Sequence, residues 1–195
     1  MLEDLVPLEP LHFFDIELDV GKEETLLPDF LETGLAKVYM WWAHNGVHLR
    51  FEIARVFDQP HFPAGDCIEL FFDTRDVKSA TITRFCHHFF VLPEKVDGEQ
   101  AGEVTRFRTE ERHPLASPDA LKVHSKKEKG KRIVGIFVPK EALYGYDPSQ
   151  FGRLGFTYKV VGQDGKTQVL SASSEDFSVE QHPQLWASLI LIKDA

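Results

Sequence analysis

The sequence predicts an all-β protein: an antiparallel β-sandwich of about nine to eleven short strands, with one short helical turn near residues 139–145. Three observations lead to this prediction. Aromatic residues make up 12% of the 195 residues, and 16 of them are Phe, a residue type that favours strands. Short runs of alternating apolar and polar residues recur along the chain, as expected for strands that bury one face. Turn-forming Gly, Pro, Asn and Asp separate these runs.

Length and composition narrow the classes of function. A chain of 195 residues can bury a good core, and we expect a single domain over residues 1–195, with an extended lead-in at residues 1–10. The formal net charge of −9 argues against a nucleic-acid-binding surface. No apolar run approaches the roughly 20 residues that a membrane span requires. The acidic start lacks the features of a signal peptide, so a cytoplasmic location is expected.

The first half of the chain alternates with a period of two in five segments, which predicts five strands. These strands cover residues 11–20, 37–43, 47–57, 66–73 and 83–92. Pro28 and Gly34 interrupt the pattern and predict a loop at residues 21–36. Asn45-Gly46 predicts a tight hairpin of type I′, in which both central residues have positive φ.

The second half predicts six further strands and the helical turn. The strands cover residues 103–108, 121–125, 131–138, 154–161, 167–172 and 186–192. Asp97-Gly98 and Asp164-Gly165 indicate turns, and the basic residues 126–130 indicate a solvated hairpin tip. Pro139, at the first position, starts the helical turn. Residues 109–120 predict a long loop, a kind of segment that is often functional.

The strands at residues 66–73 and 83–92 carry the most informative pattern. If they pair as a hairpin, the core face holds Ile68, Leu70, Phe72, Phe85, Phe89 and Val91. The opposite face then collects Glu69, Arg84, Cys86 and His88. Such a face can bind a polar ligand, because Glu69 accepts hydrogen bonds and Arg84 donates them in a fixed fork. An ordinary cross-strand ion pair on a solvated sheet is the alternative interpretation.

The three tryptophans differ in their predicted environments. Adjacent strand residues face opposite ways, and parity with Val38 and Met40 favours Trp42 over Trp41 as the core member. Trp186 follows a proline loop at the mouth of the last strand, where an aromatic ring can stack on a sugar. Plain core packing is the alternative for each tryptophan.

Motifs for catalysis or metal binding are weak. His87, His88 and His113, with Cys67 and Cys86, could supply metal ligands, but His87 and His88 point to opposite faces of a strand. No CxxC or HExxH spacing occurs, and the two cysteines are expected to be free, buried thiols. No GxSxG elbow, P-loop or dinucleotide fingerprint is present. We therefore predict a protein that is not an enzyme and has no cofactor.

Four segments resemble, in the same order along the chain, motifs of family 9 carbohydrate-binding modules and their DOMON-like relatives. Residues 65–73 resemble the D-x-(I/V)-E-(I/V/L)-F-(I/L/F)-D strand, and residues 47–53 with Asp58 resemble L-Y-(V/F)-x-x-x-V-x-D. Residues 136–143 resemble (I/V)-x-I-P-x-x-x-L, and residues 182–191 resemble the closing N-P-x-x-(F/W)-G-x-(I/V)-x-L. The resemblance covers most of the chain, from about residue 35 to residue 192.

The resemblance implies a non-catalytic β-sandwich that holds a mono- or oligosaccharide between aromatic rings on one sheet face. The carboxylate and arginine that bond the sugar in the family correspond to Glu69 and Arg84, and the closing polar and aromatic residues to His182 and Trp186. With His88 from the face of Glu69, the expected site is Glu69, Arg84, His88, His182 and Trp186. The second sandwiching aromatic is left open among Trp41, Trp42 and Phe62.

Two other functions fit the same fold. A protein-interaction or structural domain that has lost the sugar site would carry an apolar patch on an exposed sheet face. A haem protein, as among some DOMON relatives, would use Met40, the one internal methionine, as an axial ligand. Calcium sites also occur in the family, although no ligands can be assigned to them in this sequence.

Overall fold

Two β-sheets stack face to face in the structure, a computed structural model that describes residues 15–21, 24–171 and 178–193. The strands are β1 (Asp15–Leu18), β2 (Thr25–Leu26), β3 (Ala36–Ala43), β4 (Gly46–Ile53), β5 (Cys67–Asp73), β6 (Cys86–Val96), β7 (Glu99–Glu103), β8 (Lys122–Glu128), β9 (Lys131–Pro139), β10 (Arg153–Val161), β11 (Thr167–Val169) and β12 (Ala187–Leu191). Short 3₁₀ turns lie at Lys140–Ala142 and Pro183–Leu185. The predicted lead-in at residues 1–10 is outside the described residues. No helix of the described segments is long and apolar enough to cross a membrane.

The two sheets differ in how their strands follow one another. The seven-stranded sheet runs β1-β12-β10-β5-β6-β7, with β11 paired to β10. The five-stranded sheet runs β2-β3-β4-β9-β8. All pairs of named strands are antiparallel except β1 with β12, which run parallel. The predicted all-β sandwich is therefore confirmed.

Alternation of side chains along each strand builds the core between the sheets. Ile68, Leu70 and Phe72 of β5 face inward and pack in one cluster with Phe89 and Val91 of β6, as the sequence predicts. Phe85 does not join them: it lies in the turn before β6, where it is half-buried beside Tyr144. The alternating pattern therefore predicts a strand that begins at residue 83, whereas β6 begins at Cys86.

Trp42 and Met40 lie on the inner face of β3, and both are fully buried in the main core. The indole N–H of Trp42 donates to the backbone carbonyl of Ile192 at 3.1 Å. Trp41 is half-buried on the outer face of the same strand. The prediction that Trp42, rather than Trp41, lies in the core is therefore confirmed. Met40 is fully buried among apolar side chains of this core, and its placement does not support the haem hypothesis.

The hairpin of β3 and β4 forms, but its turn differs from the prediction. Ala43 pairs with Gly46, so His44 and Asn45 are the turn residues, and both keep negative φ. A type I′ turn would need positive φ at both. Gly46 is required for another reason, since a Cβ there would collide with the backbone carbonyl of Val138 on β9.

Three further predictions are corrected by the structure. The strand predicted at residues 103–108 is found instead at Glu99–Glu103. It ends there because the Thr105 hydroxyl, rather than a backbone carbonyl, accepts the backbone N–H of His88, at 2.8 Å. The predicted loop at residues 21–36 contains the short strand Thr25–Leu26. Pro139 precedes the first 3₁₀ turn as its N-cap rather than occupying its first position. The loop predicted at 109–120 is present and runs over residues 104–121.

Candidate functional site

The outer face of the seven-stranded sheet carries the residues that the sequence predicts as a site. β5 lies in the middle of this sheet, between β10 and β6, and every one of its residues is buried. Cys67, Glu69 and Phe71 point to the outer face, opposite the core. Loops before β5 and before β12 therefore cover much of this face.

Two apolar clusters flank Glu69 on the outer face. One contains Phe71, Ile82, Cys86, Val169, Val179 and Trp186, with Phe107 at its border. The other contains Cys67, Leu92 and Val161, with Phe62 and Phe90 at its border. Glu69 lies between Cys67 and Phe71 on β5, so it occupies a polar gap between the two clusters.

Four polar residues fill this gap, and we call them the Glu69 cluster: Glu69, His88, Lys159 and Glu180. Glu69 Oε2 lies 2.6 Å from Nε2 of His88, and Oε1 lies 3.7 Å from Nζ of Lys159. Lys159 Nζ also lies 2.7 Å from Glu180 Oε1. Side-chain exposure rises from 4% for Glu69 to 13% for His88, 25% for Lys159 and 26% for Glu180. The cluster thus has a buried floor and a partly open rim.

Strand register explains why these groups meet. Glu69 pairs with Lys159 on β10 and with Phe90 on β6, while His88 pairs with Phe71, one step along the same face. Glu180 comes from the segment that precedes β12. A lysine between two carboxylates and an imidazole offers both donors and acceptors to a polar ligand.

In the Glu69 cluster, opposite charges stabilise the ionised forms of their neighbours. Burial acts to lower the pKa of Lys159, but the hydrogen bond to Glu180 and the charge of Glu69 outweigh it and raise that pKa. Burial likewise acts to raise the pKa of Glu180, and the hydrogen bond from Lys159 outweighs it, so this pKa is lowered. Lys159 and Glu180 are therefore both ionised at neutral pH.

Aromatic rings form the walls around His88. Its ring stacks on Phe71 with centroids 4.3 Å apart and meets the edge of Phe62 at 6.2 Å. Phe62 in turn stacks on Phe90 at 4.9 Å. The buried carboxylate of Asp66 holds the loop that carries Phe62, because it accepts backbone N–H groups from both neighbouring loops, at Gln59 and Gln163.

The structure brings Glu69 and His88 together but places Arg84 elsewhere. Arg84 is exposed in the turn before β6, with its guanidinium 5.0 Å from the Phe85 ring centroid. Cys86, the first residue of β6, pairs with Asp73, four residues from Glu69. At about 3.3 Å per residue, Arg84 is thus more than about 13 Å from Glu69 along the sheet. Lys159, which the sequence did not single out, supplies the cation instead.

Trp186 and His182 also differ from their predicted roles. Trp186 is fully buried in the first apolar cluster, and its indole N–H donates to the carbonyl of Val179 at 2.7 Å. Neither face of its ring is open to a ligand, because the ring is packed against Phe71 and its neighbours. His182 is half-buried before the second 3₁₀ turn, where its Nδ1 donates to the carbonyl of Ser178 at 2.8 Å.

The three aromatic residues that the sequence offers as the second ring of the sugar sandwich lie in three different places in the fold. Trp42 is in the main core. Trp41 lies on the outer face of the five-stranded sheet, where it stacks on His48 at 4.9 Å. Phe62 is the one beside the Glu69 cluster.

A second polar cluster lies on the inner side of β6, at the end of the sandwich. His87 Nδ1 and His113 Nε2 lie 2.9 and 2.7 Å from the same carboxylate oxygen, Oε1 of Glu103. His87 and His88 face opposite sides of the sheet, as predicted, so they share no site. The sequence did not predict Glu103, because the strand was expected to begin there rather than end there.

The electrostatics of this cluster favour an ionised carboxylate. Burial acts to raise the pKa of Glu103, but hydrogen bonds from His113 and His87 outweigh it and lower that pKa to about 2. Burial lowers the pKa of His87, despite its bond to Glu103, so this imidazole is neutral at pH 7.

Cys67 and Cys86 do not belong to this polar cluster. They lie in separate apolar clusters, and burial raises the pKa of both thiols to about 12.

Comparison with known proteins extends the observations on the fold. No family model matches the sequence, and no curated protein matches it. A family 9 carbohydrate-binding module from Caldicellulosiruptor kristjanssonii, solved in complex with cellotriose, is similar in structure, with a TM-score of 0.69 and 14% identity, over 93% of this chain and 95% of that chain. A module of the same family and organism, in complex with glucose, gives a TM-score of 0.67 at 12% identity, over 93% and 97% of the two chains. The likeness confirms the fold that the sequence motifs predict.

Proposed function

We propose that this protein is a non-catalytic carbohydrate-binding domain and that the Glu69 cluster is its ligand site. The observation that carries the proposal is the partly open polar gap on the outer face of the seven-stranded sheet, with a phenylalanine ring at its side. Two modules with the same fold were solved with cellotriose and with glucose, which supports a sugar as the ligand class.

The chemistry of the cluster suits sugar hydroxyls. Glu69 and Glu180 accept hydrogen bonds and Lys159 donates them, so adjacent hydroxyls can be bonded as donor and acceptor at once. Phe62 offers an apolar ring on which the C–H face of a sugar can pack. Because these charged groups already bond one another, each sugar contact replaces an existing one, and we expect weak binding.

The same contacts favour binding over hydrolysis. Glycoside hydrolysis requires two carboxyl groups placed across the scissile bond. Here Glu69 and Glu180 lie 3.7 and 2.7 Å from the same ammonium group, Lys159 Nζ, so a lysine occupies the space between them that a scissile bond would need.

The test is isothermal titration calorimetry with glucose and with cellotriose, with and without calcium. We expect the wild-type chain to bind and Glu69→Gln to bind about 10–100-fold more weakly, since a hydrogen bond to a charged group contributes about 1.5–3 kcal/mol. Glu52→Gln is the matched control, because Glu52 is half-buried beside Arg50 on the outer face of the other sheet. Its affinity should equal that of the wild type.

Two results would contradict the proposal. One is the absence of binding to either sugar by a protein that near-ultraviolet circular dichroism shows to be folded. The other is equal binding by wild type and Glu69→Gln, which would move the site away from the Glu69 cluster.

Protein binding is the second candidate function, and one observation favours it. On the outer face of the five-stranded sheet, His48 stacks on Trp41 at 4.9 Å and on Phe137 at 4.4 Å, and all three are half-buried. A row of partly exposed rings is a common feature of protein interfaces. If Trp41→Ala changes the association state of the protein in sedimentation experiments while sugars do not bind, this function is the better one.

A further inference from the structure

His87, Glu103 and His113 come together from three segments of the chain, and we call them the His87 cluster. His87 lies on β6, Glu103 ends β7, and His113 comes from the loop at residues 104–121. One nitrogen from each ring and one carboxylate oxygen all lie within 4.8 Å of one another. All three side chains are almost completely buried. The cluster is on the opposite face of β6 from the Glu69 cluster, so the inference is independent of the proposed sugar site.

The hydrogen-bonding geometry of His113 leaves a position that a cation can fill. Its Nδ1 lies 2.6 Å from the carbonyl oxygen of Arg84, and its Nε2 lies 2.7 Å from Oε1 of Glu103. Both partners are acceptors, whereas a neutral imidazole has a single N–H. When Nδ1 donates to Arg84, a hydrogen bond from Nε2 to Glu103 requires a second proton on the ring, and without that proton the lone pair of Nε2 faces the carboxylate oxygen. Either a second proton or a metal ion must lie between them.

The surroundings of the His87 cluster orient its members as metal ligands are oriented. The Nδ1–H of His113 donates to a backbone carbonyl, which is the outer-shell bond that fixes metal-binding histidines. Glu103 Oε2 accepts the backbone N–H of Ala116 at 2.6 Å, and the Thr105 hydroxyl donates to Oε1 at 2.7 Å. Nε2 of His87, the nitrogen turned away from Glu103, faces the backbone carbonyl of Tyr144 without a hydrogen bond of good geometry.

We propose that the His87 cluster binds one divalent transition-metal ion of the zinc class through His87 Nδ1, Glu103 Oε1 and His113 Nε2. Two imidazoles and one carboxylate suit Zn²⁺, whereas Ca²⁺ and Mg²⁺ prefer oxygen ligands throughout. Ligands at about 2.0–2.2 Å in a tetrahedron lie about 3.4 Å apart. The carboxylate oxygen, now 2.9 and 2.7 Å from the two ring nitrogens, therefore moves away from them by about 0.5–0.7 Å when the ion enters.

Such an ion would fasten the long loop at residues 104–121 to the seven-stranded sheet. The loop at residues 104–121 crosses from β7 of one sheet to β8 of the other. Thr105 attaches the start of this loop to β6, whereas its middle is attached to Glu103 by His113 and by the N–H of Ala116. A metal ion that ligates His113 and Glu103 together would hold this crossing closed, so the expected role is structural.

The test is a Zn²⁺ titration of the untagged, chelator-treated chain, followed by competition with a chromogenic chelator and by thermal unfolding. We expect one Zn²⁺ per chain and a rise in the midpoint of unfolding. His113→Gln should weaken Zn²⁺ binding by at least about 100-fold, since loss of even an outer-shell partner costs about 10–100-fold. His124→Gln is the control, because His124 is exposed on the edge strand β8, and it should bind as the wild type does.

A measurement on the wild type alone keeps the test decisive if His113→Gln does not fold. X-ray absorption of the Zn²⁺-loaded chain should show two imidazoles among the ligands, with four or five nitrogen and oxygen neighbours in total. Six oxygen neighbours, no stoichiometric binding, or equal affinity in a folded His113→Gln variant would each overturn the proposal.

Discussion

Trp186 joins the loop before β12 to the outer face of the seven-stranded sheet. Its ring centroid lies 5.8 Å from that of Phe71, and its N–H is bonded to Val179. A tryptophan that is both fully buried and hydrogen-bonded contributes to stability, because its large apolar area is removed from water at no polar cost. The aromatic residue of the motif at residues 182–191, Trp186, therefore contributes to packing.

Substitution of Trp186 by Ala should lower the free energy of unfolding by about 3–5 kcal/mol, as expected for a large aromatic removed from a core. Trp41→Ala is the control, because Trp41 is half-buried on an outer sheet face and should cost less. Urea unfolding followed by circular dichroism measures both. Full stability in Trp186→Ala, together with lost sugar binding, would instead make Trp186 a ligand-contact residue.

The β6–β7 hairpin shows how a local turn is encoded. Asp97 and Gly98 connect Val96 to Glu99, and both have positive φ, at 52° and 88°. This is the type I′ geometry that Asp-Gly favours, because Gly has no Cβ to clash and Asp tolerates the left-handed region. The turn matches the twist of the flanking strands.

The replacement Gly98→Ala should therefore destabilise the protein by about 1 kcal/mol, the cost of holding a Cβ in the left-handed region. Gly152→Ala is a matched control: an added Cβ meets no atom within 4 Å at either position, but φ at Gly152 is outside the left-handed region. Thermal or urea unfolding compares the two. Equal losses would mean that backbone strain is not the cause.

Hairpins between neighbouring strands were predictable, whereas pairings between distant strands were not. Local turn residues joined β3 to β4, β8 to β9 and β10 to β11 in the sequence as in the structure. Glu69 and His88 were placed together for the same reason, since β5 and β6 follow one another. Lys159 lies beside Glu69 because β10 pairs with β5. These two strands are far apart in the sequence, and no local sequence pattern predicts that they pair. The sequence places Arg84 wrongly because the alternation of apolar and polar residues continues into the turn that precedes Cys86, the first residue of β6.

At one edge of the sandwich, the side-chain amide of Gln168 joins the two sheets. Gln168 of β11 accepts the N–H of Ala36 at 2.8 Å and donates to the carbonyl of Ala36 at 2.9 Å and to the hydroxyl of Tyr158 at 2.8 Å. Ala36 belongs to the five-stranded sheet and Gln168 to the seven-stranded one. The side chain therefore acts as a peptide group that bridges two separate sheets.

Removal of this amide in Gln168→Leu should lower the free energy of unfolding by about 2–6 kcal/mol. The leucine has a similar volume but leaves the N–H and carbonyl of Ala36 buried without partners, at about 1–3 kcal/mol each. Gln100→Leu is the control, because its amide makes one long bond, 3.4 Å, to the carbonyl of Leu92. Similar losses in both variants in urea unfolding would show that Gln168 does not bridge the sheets.

The parallel pairing of β1 with β12 bears on how the chain folds as it is made. All five strands of the smaller sheet precede residue 140, whereas β10 and β12 of the larger sheet follow it. At about 5–20 residues per second, β1 waits roughly 10–30 s on the ribosome for the strand beside which it lies. After the smaller sheet is complete, about 50 further residues are made, which takes roughly 3–10 s, and until then the part of its apolar inner face that β10 and β12 cover has no partner. A nascent chain of this protein is therefore expected to need a chaperone until its last strand emerges.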